Sequence, residues 1–259
     1  MVDVRGAVVV VTGGASGIGA ALARRFAADG AAAVVLADLD RAGAAAVAGD
    51  LPEPVGHPLA LDVTDEPAVA AAVAWVEEQV GPIDLWCSNA GVTSGPGLGD
   101  DPDWERCWRV HVHAHVLAAR HVLPRMVARG RGQLLVTASA AGLLTELDTA
   151  PYPVTKHASV ALAEWLAIRH GADGIGVACL CPQGVATPML AGAPAGSATL
   201  AAGPVLSPEQ VAGAVAEALA AGRFLILPHP EVAEYERRRA ADRDRWLAGM
   251  RRLRARLRR

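Results

Sequence analysis

Tyr152 and Lys156 stand four residues apart in the run Tyr152-Pro153-Val154-Thr155-Lys156. On a helix that spacing puts phenol and ammonium on one face. Pro151 and Pro153 suit a first helical turn, where a missing N–H costs little. A nearby cation stabilises phenolate, so the phenol pKa is expected to fall from about 10 toward working pH. Such a group can donate a proton to a carbonyl oxygen and take one back from an alcohol. Ser139, thirteen residues upstream at the end of an expected strand, could hydrogen-bond the same oxygen. The bare Tyr-x-x-x-Lys pattern is common, and a surface Tyr beside a solvated Lys would do nothing. Here, however, Lys156 is the only lysine among 24 cationic residues, and Asn89 is the only asparagine. A chain that has drifted toward Ala, Gly and Arg keeps these two where no substitute works.

A second constellation lies near the start of the chain. Thr12-Gly13-Gly14-Ala15-Ser16-Gly17-Ile18-Gly19 separates an apolar run from a helical pattern. Glycines at a strand-to-helix turn let the backbone approach a pyrophosphate, which then sits at the positive end of the helix. Asp38 follows Gly19 by nineteen residues, at the end of the next expected strand. An acid there accepts hydrogen bonds from an adenosine ribose diol and repels a 2′-phosphate. With no Arg or Lys in the turn, and Arg41 the one cation close by, the expected cofactor is NAD rather than NADP.

These residues need a frame to hold them. Short apolar runs at 7–12, 33–37, 56–61, 83–87, 132–138, 175–181 and 223–227 are expected strands. Longer Ala-rich stretches of helical spacing lie at 17–29, 41–49, 66–80, 102–129, 151–171 and 208–221. The runs are near-continuous in Val, Leu, Ile and Ala, as in strands covered by helices on both faces. Strict alternation gives right-handed βαβ units and a parallel sheet. The fold expected is α/β: a single-domain, Rossmann-like, doubly wound parallel sheet of about seven strands flanked by helices. It should occupy residues 1–229, with 230–259 an Arg-rich amphipathic helix on the same domain or at a subunit interface. In that tail Trp246, Met250, Leu253 and Leu257 recur at helical spacing. The Gly/Ala/Pro-rich connection 188–208 has the length of a lid or binding loop.

Composition narrows the function classes. A formal net charge of −3 and 4% aromatic residues leave neither a basic field nor a stacking platform for nucleic acid. No apolar run approaches the ~18 residues of a membrane span, and the first one is too short for a signal-peptide core. A cytoplasmic protein with no nucleic-acid or membrane partner is expected. Cys87, Cys107, Cys179 and Cys181 lack metal-ligand spacing. His111, His113 and His115 alternate, but on a helix only His111 and His115 share a face, with no acid or thiol nearby to complete a set. No metal is expected.

With these motifs in order, the sequence resembles the short-chain dehydrogenase/reductase family over roughly residues 5 to 228. Thr12–Gly19 matches its TGxxxGIG turn, so Gly13, Ser16, Gly17, Ile18 and Gly19 are implied cofactor-binding residues. Asp62 and Val63 look like its adenine-contacting pair. Ser88-Asn89-Ala90-Gly91 matches the family's NNAG segment, with Asn89, Ala90 and Gly91 beside the cofactor. Ser139, Tyr152 and Lys156 match the catalytic Ser, Tyr and Lys. Pro182, Val185 and Thr187 resemble the segment meeting the nicotinamide carboxamide. The resemblance also implies a homodimer or homotetramer.

Two positions depart from it. The family's catalytic Asn falls at His111, in Val110-His111-Val112. The Asn shapes a helix distortion whose backbone carbonyl holds a relay water. His111 keeps a carbonyl and a hydrogen-bonding side chain, and could titrate in the relay, since an unperturbed imidazole has a pKa near 6.5. Gln183 stands where the family often has Gly, and would be strained if that position needed φ > 0, unless Gly184 takes the turn. The expected activity is hydride transfer between NAD(H) and a mostly apolar secondary alcohol or ketone. The pocket walls should come from 92–99, 140–150 and 188–206. The alternative is an NAD(H)-binding sensor or scaffold whose catalysis has decayed at His111 and Gln183.

Overall fold

The structure, a computed structural model, describes residues 3–191 and 203–257. Seven parallel strands form one sheet in the order β3-β2-β1-β4-β5-β6-β7. They are β1 (Val8–Thr12), β2 (Ala33–Asp38), β3 (Gly56–Ala60), β4 (Ile83–Ser88), β5 (Gly132–Thr137), β6 (Ile175–Leu180) and β7 (Leu225–Ile226). All but the edge strands β3 and β7 are buried along nearly their whole length. The run Val8–Val11 shows how a continuous apolar strand serves two cores, because successive side chains point to opposite faces. Val9 and Val11 pack with α1 (Gly17–Ala28), α2 (Arg41–Gly49) and the helix Pro208–Ala220. Val8 and Val10 join the core under α3 (Glu66–Gln79) and the helices that run through Ala114–Arg129 and Pro151–His170. The doubly wound architecture is the one the alternating pattern requires.

Strand order reverses between β1 and β4, so the crevice beyond their carboxyl ends is where such sheets bind ligands. Each expected strand is present, the last shortened to two residues at the sheet edge.

Two expected helices differ. The long one at 102–129 is α4 (Asp101–Trp108), a π-helical turn (Arg109–His113) and α5 (Ala114–Arg129). Within the turn the Ala114 N–H reaches the Arg109 carbonyl five residues back, the mark of one extra residue inserted in the helix. Short α6 (Ala141–Leu144) precedes α7 (Pro151–His170), and short α8 (Pro188–Ala191) opens the long connection, whose residues 192–202 lie outside those described. Helix α9 (Pro208–Ala220) begins with a reciprocal capping box between Ser207 and Gln210.

The tail, expected as one helix, is two: α10 (Glu231–Ala241) and α11 (Arg243–Leu257). Asp242 leaves the helical conformation at φ −151° and ψ 96°, and its carboxylate accepts the Arg245 N–H at 2.9 Å, capping α11. Val232 of α10 is fully buried in the core under α6 and α7, and Tyr235 packs on Trp246 with ring centroids 6.5 Å apart. No described helix is long and apolar enough to cross a membrane.

Val232 is therefore the pin of the tail. Val232→Asp would bury an unpaired carboxylate, which costs several kcal/mol unless the segment leaves its site. Limited trypsin digestion should release the Arg-rich helices from the variant at least tenfold faster than from the parent chain. Equal rates would show that Val232 does not hold them.

Candidate active site

The turn after β1 is shaped by what cannot be added to it. Gly13 has φ +67°, and a Cβ there would meet the Ala90 backbone at 3.0 Å. Gly17, at φ +51°, lies against Thr187, and a Cβ on Gly19 would overlap the Gly13 carbonyl oxygen. Only glycine fits the left-handed positions without strain. Ser16 makes no side-chain cap to α1, so the first-turn N–H groups stay open to an anion. Asp38, at the end of β2, accepts from Ala15 N at 3.0 Å and Asp40 N at 2.9 Å. Each carboxylate oxygen keeps a further lone pair for a ligand hydroxyl.

Asp62 follows β3, its carboxylate taking both the Thr64 N–H and O–H at 2.8 Å. Val63 lines a small cavity with Thr12, Ser88, Ala90, Val110 and His115.

Asn89 ties three strand ends together. Its Nδ2 donates to the Thr12 carbonyl at 3.0 Å, and its Oδ1 accepts from Thr137 Oγ at 3.1 Å. The Thr12 hydroxyl accepts the Asn89 and Ala90 N–H groups at 2.9 and 3.1 Å. Both ends of one amide are used, which neither Asp nor Ala could do.

Thr137 connects this bracket to α7. Its carbonyl accepts from Lys156 Nζ at 2.9 Å, and the lysine is 3% exposed. The ammonium lies 5.7 Å from the Tyr152 ring centroid. Ser139, just beyond β5, is buried, accepts the Ala141 N–H at 3.1 Å and reaches the Pro182 carbonyl at 3.5 Å. Gly91 faces this cluster, since a Cβ on it would stand 3.8 Å from His111 Nε2 and 3.9 Å from Lys156 Nζ. Beyond β6, Val185 pairs with Leu206, and the Thr187 hydroxyl turns back to the Val185 carbonyl at 3.3 Å. The fold thus gathers Ser139, Tyr152, Lys156 and His111 at the carboxyl edge, with the glycine turn beside them.

The profile of the short chain dehydrogenase family matches residues 7–197. This chain belongs to the short-chain dehydrogenase/reductase family. It is 38% identical over 234 residues to 1-deoxy-11-beta-hydroxypentalenate dehydrogenase of Streptomyces exfoliatus, covering 86% of this chain and 82% of that one. Over 216 residues it is 36% identical to meso-2,3-butanediol dehydrogenase of Serratia marcescens, covering 81% and 85%. Among solved structures, a short chain dehydrogenase/reductase from Burkholderia phymatum in complex with NAD superposes with a TM-score of 0.84. That likeness covers 94% of this chain and 96% of the other at 29% identity. The protein is an oxidoreductase of this family.

Three expectations for this dehydrogenase/reductase need correction. The lysine does not dominate the phenol: burial raises the Tyr152 pKa above its ordinary value, opposed by the Ser139 hydroxyl. Burial likewise lowers Lys156 to about 8. Nor can His111 titrate near 6.5. Burial, aided by the Lys156 charge, pushes it down to about 2. Gln183 is not strained, since neither it nor Gly184 has a positive φ.

His111 is fixed from both ends of its ring. Nδ1 lies 2.9 Å from Thr155 Oγ, and Nε2 accepts the Val92 N–H at 3.1 Å. The Thr155 hydroxyl proton goes to the Pro151 carbonyl at 2.8 Å. A proton on Nδ1, donated to Thr155, leaves Nε2 to accept the Val92 N–H, while the Val92 carbonyl also stands 3.1 Å from Nε2 and would take its proton in the other tautomer. The His111 carbonyl accepts the Ser159 hydroxyl at 2.7 Å. Thr155, Ser159 and Thr137 were not expected among the site residues. Yet Thr155 and Ser159 lie three and seven residues past Tyr152, on the helix face that carries it. His113 of the alternating trio is exposed, and the described residues contain no group of three potential metal ligands.

A pH dependence of stability follows. His111 at about 2 and His115, held by burial at about 3, stay neutral in the fold. The unfolded chain protonates both below about 6.5. The stability they contribute is complete above that pH and falls as pH drops, by about 1.4 kcal/mol per unit per histidine. Among the described residues His115 Nε2 has no partner, so His115→Leu should flatten the decline between pH 6 and 5 by about one proton. Urea midpoints at the two pH values check this, and an unchanged difference refutes it.

Proposed function

We propose that this enzyme interconverts a mostly apolar secondary alcohol and its ketone, with NAD as hydride partner, through Ser139, Tyr152 and Lys156. The observation that carries this reading is the sole lysine, buried one helical turn from Tyr152 and anchored on the β5 carbonyl end. Such burial of an ammonium is costly unless the charge is used. Bound NAD supplies the hydride acceptor or donor at its nicotinamide ring.

The chain's own groups do the rest. Open N–H groups of α1 meet the pyrophosphate, and the lone pairs of Asp38 meet the adenosine ribose diol. Asp62, Val63, Asn89, Ala90 and Gly91 complete the adenosine side, and Pro182, Val185 and Thr187 the nicotinamide side. Ser139 holds the substrate oxygen. Tyr152 donates its proton to that oxygen in reduction and, as phenolate, accepts it in oxidation. Lys156 favours the phenolate by its charge and holds the nicotinamide ribose. His111 is a neutral brace between the 91–93 segment and α7. Neither His111 nor Gln183 shows a defect that favours a non-catalytic scaffold.

Residues 1–229 form the catalytic unit, with 230–259 docked on it. Trp108, Trp165 and Ile168 are exposed on α4 and α7, and these faces support a homodimer or homotetramer. The four free, buried cysteines fit a reducing cytoplasm.

Two substitutions test the roles. Tyr152→Phe should lower alcohol-dependent NADH formation by about 10²–10⁴-fold, the usual worth of a positioned acid or base, while NAD binding by calorimetry persists. Lys156→Arg should also be impaired, since a planar fork cannot replace a compact ammonium. Because burial holds the Tyr152 proton tightly, the phenolate stays scarce up to pH 9, so alcohol oxidation should accelerate from pH 7 to 9 while ketone reduction stays nearly constant. Full turnover by Tyr152→Phe would remove the assignment.

A further inference from the structure

The Arg-rich tail meets α7 at a polar contact one residue past Lys156. His157 is half-buried there, with both ring nitrogens engaged. Nδ1 lies 2.8 Å from the Pro153 carbonyl, and Nε2 lies 3.3 Å from a guanidinium nitrogen of Arg239 on α10. Hydrogen-bond roles leave one arrangement. A carbonyl only accepts, so Nδ1 carries the proton. A guanidinium only donates, so Nε2 must be bare. The ring that receives Arg239 is therefore neutral.

The charges gathered around this contact share one sign. On α10, Glu234 is taken by Arg237 and Arg238, and Glu236 reaches Arg239 through its field without a bond. On α11, Arg243 adds a positive charge that acts on both His157 and Arg239. Asp242, between the two helices, spends its carboxylate on the Arg245 N–H. Helix α6, also packed on α10, is Ala-Gly-Leu-Leu and carries no charge. On α7 itself, Lys156 turns inward to the Thr137 carbonyl. Among the described residues no carboxylate pairs with His157. Burial holds its pKa below the ordinary imidazole value, opposed by the Pro153 bond and helped by Arg239 and Arg243.

We infer that His157 and Arg239 form an acid-sensitive clasp that fastens the Arg-rich tail to α7 and opens when Nε2 takes up a proton. Protonation turns the acceptor into a donor, so two N–H groups face each other. It also sets another positive charge beside Arg239 and Arg243. The sign follows from linkage. The ring is neutral in the docked state and protonates below about 6.5 once released, so docking is strongest above that pH and weakens as pH falls. Val232 stays in its core site. The opening therefore runs over residues 236–257, while the start of α10 remains pinned.

Hydrogen exchange of segment 236–257 in the full chain, corrected for intrinsic rates, tests the clasp. Between pH 7.5 and 5.5 its protection should fall about tenfold further in the parent chain than in His157→Gln, the span of one proton. His111 and His115 are present in both chains, so their share cancels. An equal fall in the two chains overturns the inference.

A second measurement follows the ring itself by NMR in the folded protein. Coupling is reciprocal, so Arg239→Gln should raise the His157 pKa by about half a unit or more. A pKa left unchanged by Arg239→Gln overturns the clasp equally. Should His157→Gln fail to fold, the NMR titration decides alone.

Discussion

The buried ammonium of Lys156 is the constraint around which the site is organised. Removing a lysine charge from water costs several kcal/mol after relaxation, and burial lowers its pKa to about 8. The Thr137 carbonyl and the neighbouring Tyr152 ring receive the ammonium. The same threonine uses its hydroxyl on Asn89, which holds Thr12. One chain of polar contacts thus runs from α7 across the ends of β5, β4 and β1. Helix α7 must also pack close to α6, where a Cβ on Gly142 would stand 2.6 Å from the Lys156 carbonyl oxygen. The two rarest residue types of the composition, one Lys and one Asn, are joined in this chain through Thr137.

Much of this was legible before any coordinates. The Val8–Val11 run, the glycines after it and the regular alternation of patterns leave little choice but a doubly wound parallel sheet. The π-helical turn is announced only by the family resemblance at His111, because apolar spacing continues through 102–129 while the hydrogen bonds slip by one residue. Asp242 is a local signal of a helix start, but the periodicity of Trp246, Met250 and Leu253 hid the break before it. For Tyr152 the sequence supplies the neighbouring cation but not the depth of burial, and burial decides the direction of the shift. The nearness of Gln183 to Glu231 depends on where the chain re-enters beyond β7, which no spacing rule encodes.

The positions with shared chemistry and those with individual chemistry are built differently. Ser139, Asn89 and Thr137 sit at strand ends inside the sheet, where a shift of one ångström would break several bonds at once. Gln183, Gly203 and Glu231 sit on segments that are joined through His229 and the short bridge between Val185 and Leu206. Strand ends give a rigid frame and the segments beyond them a more changeable rim, the division that lets one fold carry many different sites.

His111 shows how much of a catalytic position is side chain and how much is backbone. An imidazole has two ring nitrogens on opposite sides, one able to donate and one to accept. At His111 they span from Thr155 to Val92, a reach that a shorter amide would have to match by moving the backbone. The ring is locked neutral, so it adds no charge beside Lys156 and competes for no proton at working pH. What the π-helical turn presents is the carbonyl, and Ser159 takes one of its two lone pairs. The turn places this carbonyl and the ring braces the turn from both sides, so a histidine can stand at this position without moving the backbone.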